Sequence, residues 1–402
     1  MSCKSESEIN HGSLSSVIKK DTNNKSVQIN SMKTVLHSLS LFLIILILAS
    51  SAEAQTKTEK PIRLAIAGMT HAHIAFILGR KDKGDFILSG VYEPNTELAL
   101  SLSKRYGFNQ NLIYDDLGKM LDKVKPEAVV AFGSVYEHMA VVEACAPRGI
   151  NIMVEKPLAT NVKHAERMSM LAHKYNIQLL TDYETSWYPT TAKSFQLVND
   201  SNFVGKLNKV VMHDGHQGPK EIGCDKIFLD WLTDPVQNGG GALIDFGCYG
   251  ANLMTGLMHN QKPLSVTAVT KQYKPDVYPR VDDDATIIVN YPMAECIIQA
   301  SWNWPFNRKD MEIYGDAGYI ITIDNNNMRL RNRIMPSEMP QTVTAKDINV
   351  YEDPFSYFYD VLKGKVTMKP YDLYALENNV RVVEILEAAR ESAKSGKTVL
   401  IK

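Results

Sequence analysis

Gly68-Met69-Thr70-His71-Ala72-His73 follows the apolar run Ile62–Ala67. A glycine at such a point lets backbone amides and a helix N-terminus approach a pyrophosphate, which is the chemistry of dinucleotide binding. The usual fingerprint carries three glycines and only Gly68 is present, so the loop alone is a weak signal. Glu93 strengthens it. It closes a second apolar run about 25 residues on, where an acid binds the ribose hydroxyls of NAD and repels the 2′-phosphate of NADP. NAD is therefore the expected cofactor, with NADP as the alternative. Gly68, Met69, Thr70, His71, His73 and Glu93 are the candidate contacts, and His71 and His73 could touch either phosphate or substrate. Oxidising a secondary alcohol by hydride transfer also needs a group that accepts the hydroxyl proton. A lysine of lowered pKa, or a tyrosine beside a cation, can do this. Lys156 as proton relay, Tyr249 as acid/base and Asp245 as orienting carboxylate form such a set. The spacing of four puts Asp245 and Tyr249 on one helical face.

These residues need elements to position them. Phe86–Tyr92, Leu112–Tyr114, Ala128–Ala131, Asn151–Val154 and Ile177–Thr181 are further strand candidates. Helices are expected over His71–Leu78, Thr96–Arg105 with Asn95 as cap, a stretch capped by Asp115, Glu137–Ala146 and Val162–Tyr175. Strands alternating with helices of this length imply a parallel, doubly wound sheet. Beyond about residue 186 longer alternating stretches take over: Leu207–His213, Leu264–Thr270, Ala285–Tyr291, Cys296–Trp302, Met311–Tyr314 and Tyr319–Ile323. They suggest an antiparallel sheet with one buried face. Helices are expected within Gly241–Met258 and over Leu373–Ala393. The fold class is α/β: a Rossmann half over 60–185, then an α+β half with a mostly antiparallel open sheet over 186–402.

The 402 residues carry 44 basic and 45 acidic side chains, a formal net charge of −1. That balance gives no electrostatic footprint for nucleic acid or anionic lipid. With 45% apolar and 22% charged residues there is ample material for a core. Cys3, Cys145, Cys224, Cys248 and Cys296 form no CxxC pair and no zinc-type spacing, and are expected to behave as small hydrophobes. No metal is expected. Residues 1–31 form a polar extension. Over 32–54 come Lys33, an apolar core of about ten residues from Leu39, and Ala52-Glu53-Ala54, the layout of a secretory signal peptide cleaved after Ala54. The core is too short to span a bilayer, so export, with a periplasmic location and no stable membrane anchor, is the expectation.

Glu155-Lys156-Pro157-Leu158-Ala159 after the fifth strand is a specific signature, and with it the chain resembles the Gfo/Idh/MocA oxidoreductases over residues 60–402. Ser134-x-x-x-His138 supports the resemblance, as do Gly239-Gly240-Gly241-Ala242-Leu243-Ile244-Asp245-Phe246-Gly247-Cys248-Tyr249, Trp302, and Glu312-Ile313-Tyr314-Gly315-Asp316-Ala317-Gly318. The family implies an NAD(P) domain followed by a domain whose open sheet face mediates dimers or tetramers. It implies that Lys156 lies near the nicotinamide and the substrate hydroxyl, with Asp245 and Tyr249 as its acidic and acid/base partners. Ser134, His138 and Glu155 join the cofactor contacts on the same ground. Thr70 and His73 depart from the family's glycine loop.

Tyr183, Trp187 and Tyr188 follow the last Rossmann strand, at the carboxyl end where open sheets bind ligands. Their aromatic planes suit the apolar faces of a sugar ring, and His213 and His216 are candidates for hydroxyl recognition. The expected activity is hydride transfer between a tightly bound nicotinamide and a secondary hydroxyl of a sugar, glycoside or polyol. An NAD-dependent glycosidase working by transient C3 oxidation and elimination is the alternative. A non-catalytic sugar- or nucleotide-binding scaffold is a second one.

Overall fold

The computed structural model describes residues 59–401. The polar extension 1–31, the signal segment 32–54 and Cys3 lie outside the described residues. Six strands build the first sheet: β1 (Ile62–Ala67), β2 (Phe86–Tyr92), β3 (Ile113–Tyr114), β4 (Ala128–Ala131), β5 (Asn151–Glu155) and β6 (Leu179–Asp182). All pairings are parallel and the order is β3-β2-β1-β4-β5-β6. The central strands are near-continuous apolar runs because helices cover both faces; Ala128–Ala131 is buried at every position. Chain order reverses between β1 and β4, and that switch point opens a crevice at the carboxyl ends of the strands.

Local signals set the helix ends. Asn95 Oδ1 accepts the Leu98 N–H at 3.1 Å and starts Thr96–Tyr106. Asp116, rather than Asp115, caps Leu117–Val124 by accepting the Lys119 N–H at 2.7 Å. The first helix is shorter than its sequence pattern, Ile74–Leu78, because residues 71–73 are spent on the turn out of β1.

The second sheet has nine strands: β7 (Leu207–Gly215), β8 (Ser265–Lys271), β9 (Asp284–Asn290), β10 (Glu295–Ser301), β11 (Arg308–Gly315), β12 (Gly318–Thr322), β13 (Asn327–Asn332), β14 (Met339–Thr342) and β15 (Val399–Leu400). Its order is β14-β13-β12-β11-β7-β10-β9-β8-β15. All neighbours are antiparallel except β7 and β10, which run parallel because three helices and the β8–β9 pair intervene between them in sequence. Alternation puts Val210, Met212, Ile287, Ile298 and Ile313 on the buried face.

That face is covered by Gly247–Leu257 and the C-terminal helix Leu376–Ser395. Sequence placed one helix somewhere in Gly241–Met258; the structure has two, Ala242–Asp245 and Gly247–Leu257, broken at Phe246. The C-terminal helix joins the halves. Val382, Ile385, Leu386 and Ala389 belong to the core of the second, whereas Leu376 and Val383 enter a core of the first. Pro354–Leu362 also returns to the first half, where Phe355 and Phe358 pack with Ile66 and Phe132. Among the described residues no helix is long and apolar enough to cross a membrane, and all four described cysteines are free, three of them buried.

Candidate active site

Gly68 ends β1 with φ at +78°, a conformation that side chains avoid. A Cβ there would lie 2.7 Å from the Gly133 amide nitrogen, so this position needs glycine for close approach as well as for its dihedral. Across the switch point Glu93 ends β2 almost fully buried. It accepts the Met69 N–H at 2.7 Å and the Asn95 N–H at 2.9 Å, which ties the β1 loop to β2. Burial raises its carboxyl above the usual range even with those two amides to stabilise the charge. Gly68, Thr70, Glu93, Gly133 and His138 line one cavity between β1, β2 and β4.

Two buried polar atoms there lack partners among the described residues: Thr70 Oγ1 and His138 Nε2. His138 Nδ1 lies 3.2 Å from the Leu158 carbonyl, which makes Nδ1 the protonated nitrogen and leaves Nε2 an acceptor. Burial keeps that ring neutral. A glycine cradle, a strand-end carboxylate and unpaired buried polar atoms fit a dinucleotide. Ser134 serves the structure first: its hydroxyl bonds Glu137 and Gln237 in the capping box before the helix His138–Cys145.

Lys156 stands one residue beyond β5, and the Lys156–Pro157 peptide is cis. Its ammonium reaches the second half, 2.5 Å from Asp245 Oδ1 and 3.0 Å from the Asp245 carbonyl. The Trp302 indole donates to Asp245 Oδ2 at 2.9 Å, so both carboxylate oxygens are held. Burial alone would push the lysine down, but Asp245, Cys248 and Glu155 together outweigh it and the net shift is upward. The expectation of a lysine with lowered pKa is therefore corrected: Lys156 is held as a cation. Asp245 is correspondingly kept below the usual carboxylate range, against a burial effect of opposite sign. Tyr249 lies over the same centre, its ring 5.1 Å from Lys156 Nζ and 4.7 Å from Lys309 Nζ. Burial pushes its phenol well up, so it stays protonated.

Beside Tyr249 a cavity of about 390 Å³ is lined by Glu184, Tyr188, His216, Phe246, Lys309 and Asp324, among others. Tyr188 donates to Glu184 at 2.6 Å, and Glu184 pairs with Lys309. His216 accepts the Gly218 N–H at 2.9 Å and packs edge-on to Phe246; burial lowers its pKa to about 4. Trp187 sits nearby against Phe76 of the first helix. Tyr183 is buried outright beneath Tyr249 and contributes packing. His213 is not brought to the site. It pairs across the sheet with Gln299 and Asp310, on the face opposite Met212 and Asp214, and its Nδ1 lies 3.1 Å from Asp310 Oδ1. Sequence reasoning missed Glu184, Lys309 and the role of Trp302. Only strand register brings Lys309 beside Asp214, on the inner face, and nothing in the local sequence marks that.

His71, His73 and Glu155 converge between the β1 loop and the end of β5. His73 Nδ1 is 2.9 Å from Glu155 Oε1, and Glu155 Oε2 accepts the Lys156 N–H at 3.0 Å. His71 is buried against Phe228 and Trp231 and kept neutral by that burial. Donor atoms of all three lie within 4.8 Å of one another, a group that could hold a metal ion. Linear spacing concealed it, because the third member comes from a different strand.

Residues 62–183 match the family described as an oxidoreductase family with an NAD-binding Rossmann fold, and residues 196–321 match the GFO/IDH/MocA C-terminal domain. The trans-1,2-dihydrobenzene-1,2-diol dehydrogenase of Xenopus tropicalis is 26% identical over 198 residues, 48% of this chain and 54% of that protein. The Bos taurus protein of the same name is 26% identical over 181 residues, 44% of this chain and 48% of that one. The chain thus spans about half the length of these curated relatives. An aldose-aldose oxidoreductase from Caulobacter crescentus, solved with glycerol, superposes with a TM-score of 0.71 at 20% identity, covering 85% of this chain and all of that one. An inositol dehydrogenase homologue from Azotobacter vinelandii, solved with NAD+, gives 0.72 at 16% identity over 86% of this chain and 98% of the other.

Proposed function

The chain belongs to the Gfo/Idh/MocA oxidoreductase family, and we propose that it is an exported enzyme that moves hydride between NAD and a secondary hydroxyl of a sugar, glycoside or polyol. The observation that carries this reading is the Lys156–Asp245 pair at 2.5 Å, one residue beyond β5 of the dinucleotide-binding sheet. Bound in the crevice, the nicotinamide ring supplies the hydride or accepts it. Lys156, charged at rest, holds the proton for the reductive direction: it donates from Nζ to the carbonyl oxygen as that oxygen gains negative charge. Oxidation runs the same step backwards, the hydroxyl proton returning to a pair that has given one up. Asp245 and Trp302 fix where Nζ points. The Glu184–Lys309–Tyr188 cluster and His216 supply donors and acceptors for neighbouring hydroxyls, and Phe246 and Trp187 offer apolar surface.

Dihydrodiol dehydrogenases and inositol dehydrogenase homologues among the similar proteins support a vicinal hydroxyl as the substrate class. The signal-like segment 32–54 supports export to the periplasm, and the open outer face of the second sheet supports a dimer or tetramer. Glu93 favours NAD over NADP. The test is turnover of a panel of glycosides and polyols with added NAD+, read as keto-product by mass spectrometry. Wild-type protein is expected to give a keto-product that Lys156→Ala does not. Equal product from both proteins would contradict the assignment.

A further inference from the structure

The site holds a second proton-handling centre. His73 occupies the place of the last glycine in the dinucleotide fingerprint, where most chains have no side chain at all. Its ring crosses to the end of β5 and gives Nδ1 to Glu155 at 2.9 Å. Glu155 is almost fully buried and fixed on its other oxygen by the Lys156 N–H, so it can serve only to orient and stabilise that ring. With Nδ1–H engaged by the carboxylate, Nε2 is the ring nitrogen left to exchange a proton with a ligand. Among the described residues nothing bonds that atom, and the side chain is 24% exposed. This is the carboxylate–histidine arrangement of a general base.

The Lys156–Asp245 pair is committed to the hydroxyl proton of the hydride step and starts that step protonated. Lys156 is an ammonium paired with Asp245, and Tyr249 is held as a phenol. A metal reading of the three side chains fits less well. His71 Nδ1 accepts the His73 N–H at 3.1 Å, so the neutral His71 ring carries its proton on Nε2, the atom that faces Glu155 at 3.8 Å. The dyad also faces the substrate side: His73 packs on Phe76, which touches Trp187 of the turn that carries Glu184.

Hydride transfer needs one proton acceptor, and a second one implies a second proton transfer. We propose that His73, oriented by Glu155, removes the proton from the carbon next to the carbonyl that hydride transfer creates. This rests on the oxidoreductase reading above. The C–H proton passes to His73 Nε2, the C–H electron pair becomes the carbon–carbon double bond of an enolate, and the Lys156 ammonium balances the charge on its oxygen. Return of the proton to either face restores the ketone. The substrate class is thereby narrowed to polyols and glycosides with a hydrogen on the carbon beside the oxidised one.

The test offers methyl 3-keto-glucoside to the purified full-length protein in D2O and follows loss of the α-proton by NMR, with NADH-dependent reduction of the same ketone measured in parallel. Wild-type protein is expected to exchange the proton. His73→Gln should lose about 10²–10⁴-fold in exchange, at least tenfold more than it loses in reduction. Glu155→Gln should lower kcat for exchange with little change in KM. Exchange and reduction falling together in His73→Gln, or exchange unaffected, would overturn the proposal. A stoichiometric metal whose chelation abolishes exchange would overturn it in favour of the metal reading. Exchange without reduction would leave the base standing and remove the oxidoreductase reading; neither reaction would remove both.

Discussion

Lys156 and Asp245 are 89 residues apart in sequence, come from opposite halves of the fold, and meet at 2.5 Å with both side chains buried. Neither half has the centre alone. Removing one member leaves the other as a buried unpaired charge, which typically costs about 3–5 kcal/mol.

Lys156→Met alone should therefore lower the melting temperature markedly and reduce turnover by about 10²–10⁴-fold. Lys156→Met combined with Asp245→Asn removes both charges. It should recover most of the stability and none of the turnover, as checked by calorimetry and keto-product assay on the same preparations.

Trp302→Phe keeps the buried ring and deletes the 2.9 Å bond to Asp245 Oδ2. A hydrogen bond to a charged group contributes about 1.5–3 kcal/mol. Denaturant titration should show a loss of that size, and kcat should fall more than KM changes, because the freed carboxylate lets Nζ wander.

How much of this could be read from sequence differs between the halves. β4 is an unbroken apolar run and β1, β2 and β5 are mostly apolar, and Asn95 and Asn161 cap their helices through local hydrogen bonds, so spacing was enough. β14 is an edge strand with little to bury, and no periodic signal marks it; β13 does alternate, but only Met328 and Leu330 carry the pattern, too short a run to stand out. Phe246 breaks the expected single helix, so Asp245 and Tyr249 approach Lys156 from two helices and not from one face. The lysine itself was legible from its motif. Its charge state was not, because that depends on a 2.5 Å contact only the tertiary fold creates. His213 and Lys309 show the same limit, since strand register decides which of them faces the site.

Gly68→Ala places a methyl 2.7 Å from the Gly133 nitrogen at a φ of +78°. Left-handed strain and overpacking together should cost about 2–5 kcal/mol. The loop should open and NAD affinity fall, measured by thermal melts with and without NAD+; the stabilisation by the nucleotide should shrink in the variant.

His216 has its pKa lowered to about 4 by burial. The unfolded chain binds a proton there near pH 6.5 and the folded chain does not. This contribution to stability is intact above pH 6.5 and is lost as pH falls toward 4, about 2 kcal/mol of it by pH 5. His216→Gln removes the difference, so its melting temperature should drop less than that of the wild type between pH 7 and pH 5.

The proposed function requires a nicotinamide dinucleotide in the crevice beside Lys156. The most direct measurement is to purify the protein without added cofactor, denature it and look for released NAD(H) or NADP(H) by mass spectrometry, with calorimetric titration of NAD+ into any empty fraction. NAD(H) is expected, near one per chain or taken up on titration. A protein that is empty and also fails to bind added NAD+ would contradict the proposed function.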